Sequence, residues 1–343
     1  MRRRMPRFPK HLQILKPENS ARMSKGTLVL SIQGGADNWS PQRWIERFNA
    51  VGHGRKVVLL PEQISNPDDV HYAAVWKPQP GVLAAFRNLR AIFNLGAGVD
   101  ALMADPTLPK VPIVRVAVDD LTGRMTEYVV LHVLIHHRQQ LSLRDDQSRK
   151  LWQPGAQWAA GAVTVGIMGL GTLGRDAAEV LRRMGFRVVG WSNSAKTMDG
   201  VECFSGRDGL APFLAKTHIL VCLLPLTAET RHILNRRLFE KLARNSPLGG
   251  PVLINAGRGG LQVEADILSC IEDGTLLAAT LDVFETEPLP TNSPLWSHPR
   301  VIVTPHNAAD TDADAISAYV AEQIARFEAG EPLRNVVDVT RGY

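Results

Sequence analysis

Residues 163–193 read VTVGIMGLGTLGRDAAEVLRRMGFRVVGWSN, and the order of elements in this stretch decides the fold. Residues 163–168 are a short apolar run of the kind that forms a buried parallel strand. Gly169-x-Gly171-x-x-Gly174 follows at once. Ala177, Val180, Leu181 and Met184 then recur at helical spacing, and residues 186–191 are a second β-rich run. Strand, glycine turn, helix and strand in about 30 residues make the βαβ unit that binds dinucleotides. Glycine turns are common, so the flanking pattern carries the specificity. Gly169 permits the tight turn, Gly171 lets the backbone approach a pyrophosphate, and Gly174 lets helix and strand pack closely. The helix start, at Thr172 and Leu173, offers free N–H groups and a positive dipole end to the phosphates.

Working outward, four more buried-strand runs follow at 218–225, 251–257, 278–284 and 301–305. Helical segments near 229–243 and 262–273 separate the first three. With 163–168 and 186–191 they make six parallel strands, a full doubly wound nucleotide domain. Upstream, strand-like runs at 27–33, 56–62, 73–78, 91–96 and 112–116 alternate with helical stretches at 41–50 and 80–89. Such alternation implies a parallel sheet with covered faces. One long helix, about 124–147, joins the halves, and an amphipathic helix at 310–329 packs back on the first. The expected fold is α/β with two doubly wound parallel-sheet domains. Residues 26–121 plus 307–343 form a flavodoxin-like substrate domain, and residues 122–306 a Rossmann cofactor domain. His132, His136 and His137 lie on the joining helix, two of them one turn apart. No third ligand stands near, so a packed or solvated face is expected there, and no metal.

The composition, 45% hydrophobic and 21% charged, is that of an ordinary globular protein. No apolar run approaches the roughly 20 residues that cross a bilayer, so no membrane partner is expected. Cys203, Cys222 and Cys270 show neither pairing nor metal-ligand spacing, which fits a reducing cytoplasm. The net charge of +5 resides in the first 25 residues, where eight Lys or Arg face the single acid Glu18. That segment carries +7, so the rest of the chain carries 5 − 7 = −2. The fold itself therefore offers no electrostatic footprint for nucleic acid. The tail is expected to be disordered: an organellar targeting segment, or an extension upstream of a start at Met23, rather than a DNA-binding arm.

In open α/β sheets, ligands bind at the carboxyl ends of the strands. Arg258 follows the 251–257 run within Asn255-Ala256-Gly257-Arg258-Gly259. Glu285-Thr286-Glu287-Pro288 follows 278–284, and His306 follows 301–305. Each has an ordinary alternative: a surface ion pair, a solvated loop acid, a helix cap. Three such residues at consecutive strand ends also share one chemistry. An arginine fork binds a carboxylate or a polarised carbonyl. A histidine supplies a proton near neutral pH, and a carboxylate fixes its tautomer and steadies the imidazolium.

The ordered set GxGxxG, N-x-[AGS]-R-G, L-D-V-F-x-x-E-P and T-P-H resembles the D-isomer-specific 2-hydroxyacid dehydrogenases. Within them, NLGAGVDALM (94–103), AAVWKP (73–78), FSGR (204–207), SPLWSHPRV (293–301) and the terminal RGY are similar to the glyoxylate/hydroxypyruvate reductase A group. The resemblance spans nearly everything after the basic tail. It implies NADPH-dependent reduction of glyoxylate or hydroxypyruvate to glycolate or D-glycerate, with hydride transfer to C2 and His306 as proton donor. It implies that Glu287 pairs with His306, that Arg258 binds the substrate's carbonyl or carboxylate, and that the Ala97 and Gly98 amides hold the carboxylate. It places Asp282 by the nicotinamide carboxamide, Leu224 and Pro225 under the adenosine, and Ala256 at the cofactor. Trp44 and Trp76 are implied to line a small substrate pocket, although both are large enough to be core. By analogy the family implies a homodimer. Two alternatives stay open. One is another D-2-hydroxyacid dehydrogenase, acting on phenylpyruvate-like acids. The other is a nucleotide-sensing, corepressor-like binding protein on the same fold, against which the lack of a long disordered C-terminal tail argues.

The far end of the opening stretch bears on the cofactor. An NAD site usually carries Asp or Glu about 20 residues past the glycines, bonded to the ribose 2′-OH. Here the second strand runs into Ser192, Asn193, Ser194, Ala195 and Lys196, and the first acid is Asp199. A carboxylate would repel a 2′-phosphate, whereas neutral donors and a lysine accept one. NADP is therefore expected to be preferred, with NAD as the weaker alternative.

Overall fold

The computed structural model describes residues 25–33, 40–62 and 64–340. The basic tail up to residue 24 and the closing RGY lie outside the described residues. The first half contributes β1 (Thr27–Ile32), α1 (Pro41–Val51), β2 (Val57–Leu59), β3 (Val70–Trp76), β4 (Ala91–Asn94), α2 (Asp100–Met103) and β5 (Ile113–Arg115). Its strands pair in parallel in the order β2-β1-β3-β4-β5, the flavodoxin-like order. α1 starts where the Ser40 hydroxyl accepts the Arg43 N–H and Pro41 takes an early position that lacks an intrahelical donor. Residues 80–89 are not the expected helix. Val82, Ala84, Phe86 and Leu89 each bond three residues back, in successive turns. Gly81 at φ 84° breaks the helical path, and Leu83, Phe86 and Leu89 are buried against the sheet.

The expected joining helix is two helices, α3 (Asp119–His137) and α4 (Gln140–Ser148). Gln139 sits at φ 56°, a left-handed conformation that ends the first ladder. His132, His136 and His137 are all buried, so they belong to a packed face. His136 reaches the Thr280 hydroxyl at 2.8 Å.

The second sheet comprises β6 (Thr164–Met168), β7 (Arg187–Ser192), β8 (Glu202–Ser205), β9 (Ile219–Cys222), β10 (Val252–Asn255), β11 (Ala278–Leu281) and β12 (Val301–Val303). Between them run α5 (Thr172–Arg183), α6 (Gly206–Leu214), α7 (Arg236–Phe239) and α8 (Glu264–Glu272). All pairings are parallel, in the order β12-β11-β10-β9-β6-β7-β8. There are seven strands here, not six. β8 escapes a search for apolar runs because it is a short, half-exposed edge strand, and its sequence, ECFS, has no continuous apolar face. The expected helix at 229–243 contracts to the single turn α7, capped by the Asn235 side chain. After β12 the chain crosses back, and α9 (Ala313–Glu328) buries Ile316, Val320 and Ile324 with Trp44 and Phe48 in the core of the first half. Arg47–Asp314 at 2.9 Å and Arg55–Glu328 at 2.7 Å tie it there. Among the described residues, no helix is long and apolar enough to cross a membrane.

Candidate active site

The glycine turn sits at the carboxyl end of β6. Gly169 has φ 113°, and a Cβ there would also press on the Leu223 carbonyl at 2.9 Å. A Cβ on Gly174 would overlap the Gly169 carbonyl, so this glycine exists for packing. A Cβ on Gly171 meets nothing within 4 Å. The space beside it is open, as a pyrophosphate approaching the start of α5 at Thr172 and Leu173 requires. At the end of β7 the Ser192 hydroxyl donates to the Ser194 carbonyl at 2.8 Å. Asn193, Ser194, Ala195 and Lys196 are exposed, and no carboxylate stands among them. Leu224, Pro225 and Ala256 lie at the neighbouring ends of β9 and β10. These residues fit a dinucleotide laid across the sheet's edge, adenosine end toward β7.

A cleft of about 220 Å³ opens where the two halves meet. Trp76, Lys77, Gly98 and Asp100 line it from the first half, and Arg258, Glu285, Glu287 and His306 from the second. Arg258 leaves β10 on a turn built by two fully buried side chains. The Asn255 carboxamide accepts the Gly257 N–H and donates to the Arg258 carbonyl. It donates also to Gln262, which donates on to the Val283 carbonyl. Arg258 then reaches across the cleft. Its Nε donates to Asp100 at 2.8 Å and its Nη1 to the Gly257 carbonyl at 2.8 Å. A Cβ on Gly98 would overlap the guanidinium, so glycine is the price of that approach. Asn94 braces the opposing turn by donating to the Gly96 and Gly98 carbonyls.

His306 is held by its backbone. Its N–H donates to the Asp282 carbonyl at 2.8 Å, and it adopts φ 54°, an uncommon conformation for a side-chain-bearing residue. The Asp282 carboxylate, 1% exposed, accepts from the Thr304 hydroxyl and from the Asn307 and Ala308 N–H groups. Tyr128 on α3 donates to Thr304 in turn. The imidazole Nδ1 meets the Glu287 carboxylate at 2.8 Å. Burial would raise the Glu287 pKa. The hydrogen bond and charge of His306, the Phe284 N–H and the Lys77 ammonium together outweigh it and hold the carboxyl below its usual range. Lys77 stands 3.7 Å from that carboxylate. With Nδ1 engaged, the ring's Nε2 is the atom left to exchange a proton with a ligand.

The structure thus gathers Arg258, Glu287, His306, Gly98 and Trp76 around one cleft. Ala97 is half-buried in the turn beside it. Trp44, expected at the pocket, is fully buried in the core. It stacks on Phe48 one turn along α1, so the helical period turns it inward. Asp282 is buried beneath the cleft, where it shapes the segment carrying His306. Sequence reasoning missed Asp100, Lys77 and Asn94. Asp100 and Lys77 had one available signal: each lies inside a stretch already singled out, NLGAGVDALM and AAVWKP.

Comparison with known proteins bears on these residues. Residues 130–308 match the family model for the NAD binding domain of D-isomer specific 2-hydroxyacid dehydrogenases. The glyoxylate/hydroxypyruvate reductase A of Yersinia enterocolitica is 42% identical over 278 residues, covering 79% of this chain and 87% of that protein. A crystal structure of NADPH-dependent glyoxylate/hydroxypyruvate reductase from Sinorhizobium meliloti, in complex with NADP and sulfate, superimposes with a TM-score of 0.87. It is 44% identical and covers 93% of this chain and 100% of its own. A probable 2-hydroxyacid dehydrogenase from Rhizobium etli, bound to NADP, HEPES and L(+)-tartaric acid, gives the same TM-score and identity over 93% of this chain and 99% of that one.

Proposed function

The chain belongs to the D-isomer specific 2-hydroxyacid dehydrogenase family, and from that membership we propose an NADPH-dependent reductase of glyoxylate and hydroxypyruvate. The observation that carries this reading is the Glu287–His306 pair lining one cleft together with Arg258. Arg258, with two of its donors already committed, turns its remaining edge to the substrate's carboxylate or carbonyl, and the Ala97 and Gly98 amides complete the clamp. That clamp lines up the keto group beside His306. His306 donates its proton to the carbonyl oxygen, and Glu287, ionised at neutral pH, keeps the ring in the required tautomer. When bound, NADPH supplies the hydride to C2. Trp76 beside Lys77 narrows the cleft, in keeping with short acids such as those named for the Yersinia relative. Ser192, Asn193, Ser194 and Lys196 receive the 2′-phosphate, and the absence of an acid among them favours NADP over NAD. The free thiols fit a reducing cytoplasm. Leu131, Trp152 and Trp158 are exposed around α3 and α4 and supply apolar surface for a homodimer.

The test is a nicotinamide-absorbance assay with NADPH and NADH against glyoxylate, hydroxypyruvate, pyruvate and phenylpyruvate. The expected result is a kcat/KM highest with NADPH and the first two acids. A preference for phenylpyruvate overturns the substrate, and equal or better use of NADH overturns the cofactor. His306→Gln is expected to lower kcat by about 10²- to 10⁴-fold with the Kd for NADPH unchanged. An unaffected kcat removes His306 as proton donor.

A further inference from the structure

The exposed segment after β7 offers a phosphate one lysine and otherwise neutral groups. A lysine alone is a flexible point charge, whereas a phosphate monoester is matched by a planar fork of donors. Such a fork reaches the segment from another element. Arg175, in the first turn of α5, is exposed, and its Nη1 donates to the Thr197 carbonyl at 3.0 Å. That bond crosses from the pyrophosphate end of the site to the loop where the second ribose lies in this fold. It ties the guanidinium to the residue after Lys196 while using one of five N–H groups. Among the described residues, no carboxylate pairs with Arg175. Of the acids near it in sequence or along the neighbouring strand, Asp176 accepts from the Thr126 hydroxyl and Glu202 pairs with Lys216. We infer that Arg175 is a specificity-determining residue that, with Lys196, grips the phosphate on the ribose 2′ oxygen of the cofactor. The inference rests on the NADPH reading above and adds the group that performs the discrimination.

Isothermal titration of the full chain with 2′,5′-ADP and 5′-AMP, fragments with and without that phosphate, separates the two claims. Wild type is expected to bind 2′,5′-ADP more tightly than 5′-AMP. Equal affinities would overturn the NADPH reading and the role of Arg175 with it. Arg175→Met is expected to weaken 2′,5′-ADP and NADP⁺ by about ten- to a hundredfold, as loss of charge-assisted bonds requires, and to leave 5′-AMP and NAD⁺ unchanged. Arg175→Lys is expected to regain part of the loss. The salt dependence of 2′,5′-ADP binding is expected to become shallower in Arg175→Met. Where wild type does discriminate, three results overturn the inference alone. One is an equal loss for both fragments, which marks a structural role in α5. Another is an unchanged Kd for 2′,5′-ADP. The third is the same selective loss in Arg207→Met, a nearby cation on α6, with none in Arg175→Met.

Discussion

Arg258 donates through Nε to Asp100 and through Nη1 to the Gly257 carbonyl, so its orientation is set before any anion arrives. The part aimed at a ligand is a fork edge, which an ammonium cannot reproduce. Arg258→Lys is therefore expected to lower kcat/KM for the keto acid by about a hundredfold, the worth of two charge-assisted bonds. Asp100→Asn keeps an acceptor for Nε and loses only the counter-charge, so its expected cost is about tenfold or less. Steady-state kinetics on both variants, with the cofactor Kd as control, checks the order. A wild-type KM in Arg258→Lys would mean the fork does not meet substrate. The sequence showed Arg258, Glu287 and His306 because each stands within three residues of the end of an apolar run. It could not show Asp100 as their partner. Arg258 and Asp100 are 158 residues apart, and only the meeting of two sheets brings them together.

From the end of β6 into the first turn of α5, three glycines serve different physical ends, and substitution separates them. Gly171 has φ −76° and open space where a Cβ would stand, so Gly171→Ala is expected to fold as wild type. A methyl there intrudes where the pyrophosphate approaches, and the Kd for NADPH is expected to rise by about tenfold or more. At Gly174 the Cβ meets backbone that cannot yield, so Gly174→Ala is expected to cost about 1–3 kcal/mol of stability. Thermal unfolding with and without cofactor distinguishes the two. A Gly171→Ala chain that binds as wild type would place the phosphates elsewhere. At this scale the sequence was most legible where elements are fully buried. Strands β6, β9, β10 and β11 are buried at every position, and their apolar runs announce them. The half-exposed β8, the turns of 80–89 and the break at Gln139 depend on edge position and single backbone angles, which periodicity does not encode.

Across the whole molecule, two parallel sheets present their carboxyl ends to one cleft, and α3 runs between the halves as a common support. Tyr128 on α3 bonds Thr304 beside His306, and His136 two turns on bonds Thr280 on β11. Burial of that helix carries a pH cost that belongs to the fold as a unit. Desolvation first, then the neighbouring His132, pushes the His136 pKa from 6.5 down to about 3. Burial also lowers His132 and His137. The folded protein refuses a proton that the unfolded chain accepts below pH 6.5 or so. The sign follows: this contribution to stability is complete above about pH 6.5 and is lost as the pH falls toward 3. While the two states differ by one proton, the loss is about 1.4 kcal/mol per pH unit. Urea unfolding of wild type between pH 7 and pH 4 is therefore expected to show a steep decline in stability. His136→Gln retains a polar group for Thr280 but cannot be protonated, so its decline should be shallower by one group's share. His132 and His137 keep the remainder of the slope. Parallel slopes for the two proteins would mean that His136 takes up its proton without unfolding the helix that joins the two halves.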